Sequence, residues 1–334
     1  MKTTTLLIKK TALTDAEIEQ LRTFCQQRAF DLAYYPGMPP SEANQYHILE
    51  KPYFYQGTTA LLANQEQFTA DYKYHLAPAR DDQPYFFHFF KWAVLPELLS
   101  LRHQGGLGLI EWGYPVLIVT LIQALLISML FIIAPLWVSK SRISGLPKTR
   151  VLIYFFSLGL AFLFIEMAFI QKFILFLGHP LYAAATVLSA FLIFAGLGSR
   201  YATQFQRQTA RFWGNPTGYA TLGISILALG YLVLLPGLLA HFIALPLLFK
   251  MGLSLLLIAP LAFWMGMPFP LGLTQLGQEA TAMIPWAWAI NGCASVLSAI
   301  VATLLAVHFG FSWVILLAVM LYGLATLCYP QFDN

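Results

Sequence analysis

The chain has 334 residues, 58% of them hydrophobic and only 10% charged, with a mean hydropathy of +0.67. A soluble domain carries about 25% charged residues, so a purely soluble protein is excluded and a multi-pass membrane protein is implied. Residues 1–112 hold 12 acids and 10 bases, net −2, whereas residues 113–334 hold 3 acids and 9 bases, net +6, so the pI near 8.9 reflects basic membrane loops, not a nucleic-acid surface.

The first 92 residues have an α/β rhythm. Thr5–Ile8 (TLLI) is a short buried-strand candidate. Thr14 or Asp15 can cap a helix over Ala16–Arg28, with Glu17 in its first turn favouring the helix dipole. Phe30–Tyr35 (FDLAYY) reads as a second strand, ended by Pro36 and Gly37. Residues 39–80 are polar, aromatic and irregular, RDDQP at 80–84 is a turn, and YFFHFFKW follows. Residues 93–112 include Glu97, Arg102, His103 and Glu111; that is too polar to span a bilayer, and the aromatic flanks suit an interfacial helix.

Seven apolar stretches follow, near 113–137, 151–178, 181–198, 217–239, 245–268, 286–309 and 311–328, each close to the ~20 residues that cross hydrocarbon. The second runs so long that it must tilt, kink or protrude. Lys140, Arg142, Lys148 and Arg150 lie in one loop, and Arg200, Arg207 and Arg211 in another; the turns near 178–181, 240–245 and 309–312 hold neither Lys nor Arg. Positive loops stay inside, so loops 138–150 and 199–216 and, by alternation, the neutral-to-acidic loop 273–283 and the C-terminus are expected on the cytoplasmic side and residues 1–112 outside.

Glu166, Gln171 and Lys172 interrupt the second span, Lys250 lies in the fifth and Asn291 in the sixth. A charge at mid-bilayer costs at least about 2.5–3.5 kcal/mol on insertion scales, so Glu166 should face the bundle interior. Lys172 lies ~9 Å further along the helix and ~600° around it, so the two cannot pair on one face. These five residues are the candidate intramembrane polar site, for a cation or a proton. Against that stands a plainer reading, in which both lysines snorkel to the interface and Glu166 is a satisfied structural acid. Two lysines near one glutamate also argue against a polycation ligand.

Small residues in GLGSR (196–200), AAAT (183–186) and NGCAS (291–295) let helices approach closely. MGMPFPLG (265–272) breaks its helix at Pro268 and Pro270, and Trp286 and Trp288 mark an interface. Cys25, Cys293 and Cys328 fit neither a disulfide framework nor a zinc site, and His47, His75, His88 and His103 have no metal-ligand spacing. No GxSxG, HExxH or Walker sequence is present.

Two blocks, FIEMAFIQKFILFLGHPLYAAATVLSAFLIFAGLGSR and PWAWAINGCASVLSAI, resemble the membrane modules of bacterial spermidine-synthase-like proteins. Those are multi-pass bundles fused to a Rossmann-like, S-adenosylmethionine-dependent transferase domain. DLAYYPGM and LAPARDDQPYFFHFFKW resemble the tail of that domain. The resemblance implies a mostly α membrane protein: a truncated α/β tail over 1–92, an interfacial linker helix over 93–112 and a bundle of about seven helices over 113–330. A Rossmann cofactor site needs a Gly-rich turn after its first strand, and the only Gly-rich stretch before the bundle, GGLGLIEWG at 105–113, follows no strand and reads as a hinge. Asp81 and Asp82 match the family's turn and are expected to cap or shape it. The chain is therefore expected to carry no cofactor and no catalytic residue. It should sit in the inner (plasma) membrane, with the lipid bilayer and a separate cofactor-bearing transferase chain as partners and no nucleic acid. The other readings are a small polytopic transporter with Glu166 as its cation or proton group, and a purely structural subunit.

Overall fold

The structure, a computed structural model, describes residues 5–46, 49–76, 78–86, 88–100, 112–134, 148–209 and 215–330. The chain divides into two compact units, one formed by residues 1–77 with 89–109, the other by residues 78–88 with 110–334.

The first unit holds no strand among its described residues, so the expected small α/β fragment is not supported. Leu6, Leu7 and Ile8 are 78%, 64% and 86% exposed. β-propensity is realised only when a neighbouring strand takes up the backbone groups, and none is present among the described residues. Helix α1 (Asp15–Arg28) begins as the sequence predicts. The Thr14 hydroxyl accepts from the Glu17 amide, while the Glu17 carboxylate accepts from the Thr14 amide at 2.9 Å. Ala29, at φ 54°, closes the helix. Over Phe30–Tyr35 no strand ladder forms among the described residues, so the second expected strand is also absent. Within the stretch expected to be irregular lie two helices, α2 (Tyr53–Ala63) and α3 (Gln65–Asp71), the second capped by Asn64. Lys91 Nζ donates to the carbonyls of Ala70 and Tyr72 at 2.9 and 2.8 Å, covering the end of α3. A short helix, α4 (Leu95–Ser100), is the described part of the expected interfacial helix; residues 101–111, with most of the Gly-rich stretch, lie outside the described residues.

The second unit is a helical bundle. Its elements are α5 (Gly113–Ser128, running on as a π turn over Met129–Ile133), α6 (Lys148–Leu177), α7 (Pro180–Thr209), α8 (Pro216–His241), α9 (Leu247–Met265), α10 (Pro268–Glu279), α11 (Ile284–Phe309) and α12 (Phe311–Leu327). Among the described residues, six segments are long and apolar enough to cross a membrane, and the 17-residue α12 is a shorter apolar helix. The chain is thus of multi-pass helical membrane character.

Helix α6 is the axis. Its most apolar stretch is 61% buried, against 17–33% for the other spans. It packs on α7, α9, α10, α11 and α12, and its inward face is aromatic: Tyr154, Phe155, Phe169, Phe173 and Phe176 are all under 2% exposed. Tight turns at Gly178 (φ 74°) and Gly310 (φ 90°) reverse the chain between α6 and α7 and between α11 and α12, in a backbone region that glycine enters without strain.

Two boundaries differ from expectation. Helix α7 continues 11 residues beyond 198, carrying Arg200 and Arg207, because nothing in that polar stretch breaks a helix. The expected loop 273–283 is helical to Glu279, because Pro268 sits in the first turn of a new helix, where its missing N–H costs nothing.

Candidate functional site

The five candidate residues do not converge on one site. Glu166, on the inward side of α6, is 7% exposed. No hydrogen bond or ion pair to it is found among the described residues. Gln171, one and a half turns further on, is half-buried.

Lys172 turns to a different partner. Its Nζ lies 3.1 Å from Oδ1 of Asp82, in the segment 78–88. That segment belongs to the bundle unit although it precedes the first span in sequence. Arg80 and Gln83 close it as a turn by exchanging backbone hydrogen bonds, which leaves Asp82 at the tip. The Asp82 carboxylate accepts from the Ser312 amide (3.0 Å) and hydroxyl (2.7 Å), and the Asp82 carbonyl accepts from the Phe311 amide (3.0 Å). Asp82 therefore caps α12 from outside that helix, where orphan N–H groups and the positive end of the dipole favour a carboxylate. The turn expected from RDDQP is present, and its Asp performs the capping on a helix 230 residues away. Tyr85 stacks on Phe311, and His88 packs against Tyr114 and His308, whose Nε2 lies 2.9 Å from the Tyr114 hydroxyl.

Lys250 places its ammonium 5.4 Å from the centre of the Phe176 ring, a cation–π contact. Asn291 donates to the Phe155 carbonyl at 3.1 Å, and about two turns away Ser298 donates to the Leu160 carbonyl at 2.9 Å. These two bonds are rungs between α11 and α6, and Gly159 permits them, since a Cβ there would stand 2.6 Å from the Asn291 carbonyl oxygen. The close approaches expected of small residues recur between α7 and α9: a Cβ on Gly198 would overlap the Phe263 carbonyl, and one on Gly266 the Ala195 carbonyl.

Tyr322 on α12 was not among the candidates. It is 1% exposed, and its hydroxyl has no hydrogen-bond partner among the described residues. The available signal was its phenol in an otherwise nearly all-apolar run, VILLAVMLYGLATL. No group of three or more His, Cys, Asp or Glu able to hold a metal occurs among the described residues.

A scan against protein-family models gave no match, and searches of curated proteins and of solved structures gave none either. The functional reading therefore rests on these residues and their surroundings.

Outside the spans, the electrostatics are those of a folded, ion-paired region. Glu17, hydrogen-bonded by Lys9 and by the Thr14 amide, has its pKa pushed down to about 2. The Tyr35 hydroxyl donates to Glu42 at 2.6 Å, and that bond holds its phenol above the usual range. The same carboxylate pairs with Arg22 at 2.8 Å.

Proposed function

We propose that the chain is the integral membrane module of a spermidine-synthase-like protein of the inner membrane. Its bundle anchors a region lying outside the bilayer and serves a separate transferase chain that carries the S-adenosylmethionine site. The observation that supports this reading best is the seating of Asp82. A segment interposed between two stretches of the first unit is clamped onto α12 and Lys172, and a bundle that only moved a solute would have no need to hold it. The sequence blocks that resemble the family's membrane module are the second support.

The reading makes a demand on topology. A transferase using S-adenosylmethionine works in the cytosol, so segment 78–88 must lie at the cytosolic end. The count of Lys and Arg in the loops puts that end outside. Gln65→Cys, in a chain otherwise freed of cysteine, decides between them. Protection of Cys at 65 from an impermeant maleimide on intact cells, with labelling after permeabilisation, is the expected result. Labelling on intact cells overturns the transferase reading. A second measurement is calorimetry with S-adenosylmethionine: no heat from the purified chain, and saturable heat once it is co-purified with a Rossmann-type chain encoded beside it.

A further inference from the structure

Helix α2 (Tyr53–Ala63, YFYQGTTALLA) carries no charged side chain. Phe54, Thr58, Leu61 and Leu62 stand at i, i+4, i+7 and i+8, one stripe about 100° wide, and Gln56 lies on the far side of the helix. A helix in a water-bathed unit turns such a stripe toward the core. Helix α2 turns it outward: Phe54 is 44% exposed, Leu61 39% and Leu62 63%, with Tyr53 at 50%. Its hold on the rest of the unit comes from the adjoining side, where the Tyr55 hydroxyl donates to the Met38 carbonyl at 3.2 Å.

The one polar side chain of the stripe keeps its proton inside the helix. Thr58 Oγ1 donates to the Phe54 carbonyl at 2.8 Å, so the stripe offers no free hydrogen-bond donor. A protein interface sets about one hydrogen bond in every 100–200 Å² around its apolar centre. Hydrocarbon asks for none.

The connectivity names what covers the stripe. The first unit is continuous with the bundle unit at three points, 77–78, 88–89 and 109–110, so it is held at the membrane that the bundle crosses. The 11 residues of α2 extend about 16 Å, roughly half the ~30 Å of a hydrocarbon core. The helix is too short to span, and polar residues bound it at both ends, Glu50 and Lys51 before it and Asn64, Gln65 and Glu66 after it. A short helix with an apolar stripe and polar ends suits the plane of the interface.

We propose that α2 is an in-plane membrane anchor: Phe54, Leu61 and Leu62 enter the boundary between headgroups and acyl chains of the bilayer that the bundle crosses. Tyr53 and Lys51 lie at headgroup level, and Gln56 faces water. The anchor requires neither a transferase partner nor a particular side of the membrane.

Site-directed spin labelling of the full chain in lipid nanodiscs tests this, with Leu62→Cys, Phe54→Cys and Gln56→Cys each placed in a chain otherwise freed of cysteine. At 54 and 62 the nitroxide should be relaxed several-fold more by oxygen, which concentrates in hydrocarbon, than by a water-soluble nickel chelate. At 56 the preference should reverse. Equal access of the chelate at all three positions means that the stripe faces water, and overturns the proposal. So does a nitroxide at 62 that is immobile and shielded from both reagents, the sign of a protein partner or a second copy. If the cysteine-free chain fails to fold, hydroxyl-radical footprinting of the unsubstituted chain in nanodiscs still decides. Phe54 should be oxidised several-fold more slowly than Phe24, which is 50% exposed, and equal rates overturn the proposal.

Discussion

Lys172 Nζ stands 3.1 Å from Asp82 Oδ1, 90 residues apart in sequence, and the same carboxylate caps α12 through Ser312. One aspartate therefore joins a segment that precedes the first span to two helices of the bundle. Asp82→Ala removes the cap and the ion pair together and leaves the Ser312 N–H without a partner. The expected loss is about 2 kcal/mol, from a cap and hydrogen bonds to a charged group. Lys172→Met removes the pair and keeps the cap, and should cost under about 1 kcal/mol. Thermal unfolding in detergent should rank the native chain above Lys172→Met and that above Asp82→Ala. The reverse order would mean that the ion pair, not the cap, holds the segment.

Glycine substitutions separate backbone contact from open helix surface. A Cβ on Gly198 or Gly266 would overlap a carbonyl of the facing helix, which cannot rotate away as a side chain could. Gly198→Ala and Gly266→Ala should each cost 1–3 kcal/mol or more, in the range of overpacking. Gly196, two residues away, has open space where its Cβ would be. Gly196→Ala should be neutral, or stabilising by the greater helix propensity of alanine. Folded yield of the three variants from membranes is the measurement, and equal yields would refute the close approach of α7 and α9.

The spans and the burial of Glu166 were legible because hydrocarbon imposes a simple rule: long apolar runs cross, and a lone charge turns inward. Strand propensity at Leu6–Ile8 and Phe30–Tyr35 misled, because a strand depends on a neighbour that local sequence does not contain. Polarity around Gln275 and Gln278 suggested a loop, but a proline in the first turn outweighs polarity in setting where α10 starts. The partners of the candidate residues were least legible. Asp82 for Lys172, Phe176 for Lys250 and the Phe155 carbonyl for Asn291 are set by how helices stack, and the last of these is a backbone atom. Candidates chosen for residue type were found at separate places.

Asn291 and Ser298 give a graded test of the seam between α11 and α6. Each donates one hydrogen bond to a backbone carbonyl of α6. Interhelical hydrogen bonds in membranes average about 0.6 kcal/mol and reach about 1.7. Ser298→Ala should therefore cost about 0.6 kcal/mol. Asn291→Ala should cost more, because it also empties the space beside Gly159. Unfolding by steric trapping in bicelles measures both, and a stabilising effect of either would show that the carbonyls are better left to their own helix.

The capping box at the start of α1 carries a pH dependence with a fixed sign. Glu17 is held at about 2, below its ordinary 4.5, by Lys9 and by the Thr14 amide and hydroxyl. A carboxyl whose pKa falls on folding contributes stability that is complete above the unfolded value and is lost as pH drops through the folded one. The start of α1 should therefore keep its protection down to pH 4.5 and loosen between 4.5 and 2. Glu17→Gln should abolish that pH dependence, and Thr14→Ala should raise local opening about fivefold, the cost of a lost cap. Hydrogen exchange by mass spectrometry on the full chain, corrected for intrinsic rates, reports both at the amides of the first turn. Unchanged protection in Thr14→Ala, or a transition centred above pH 4.5, would mean that the hydrogen bonds seen here do not hold the helix start.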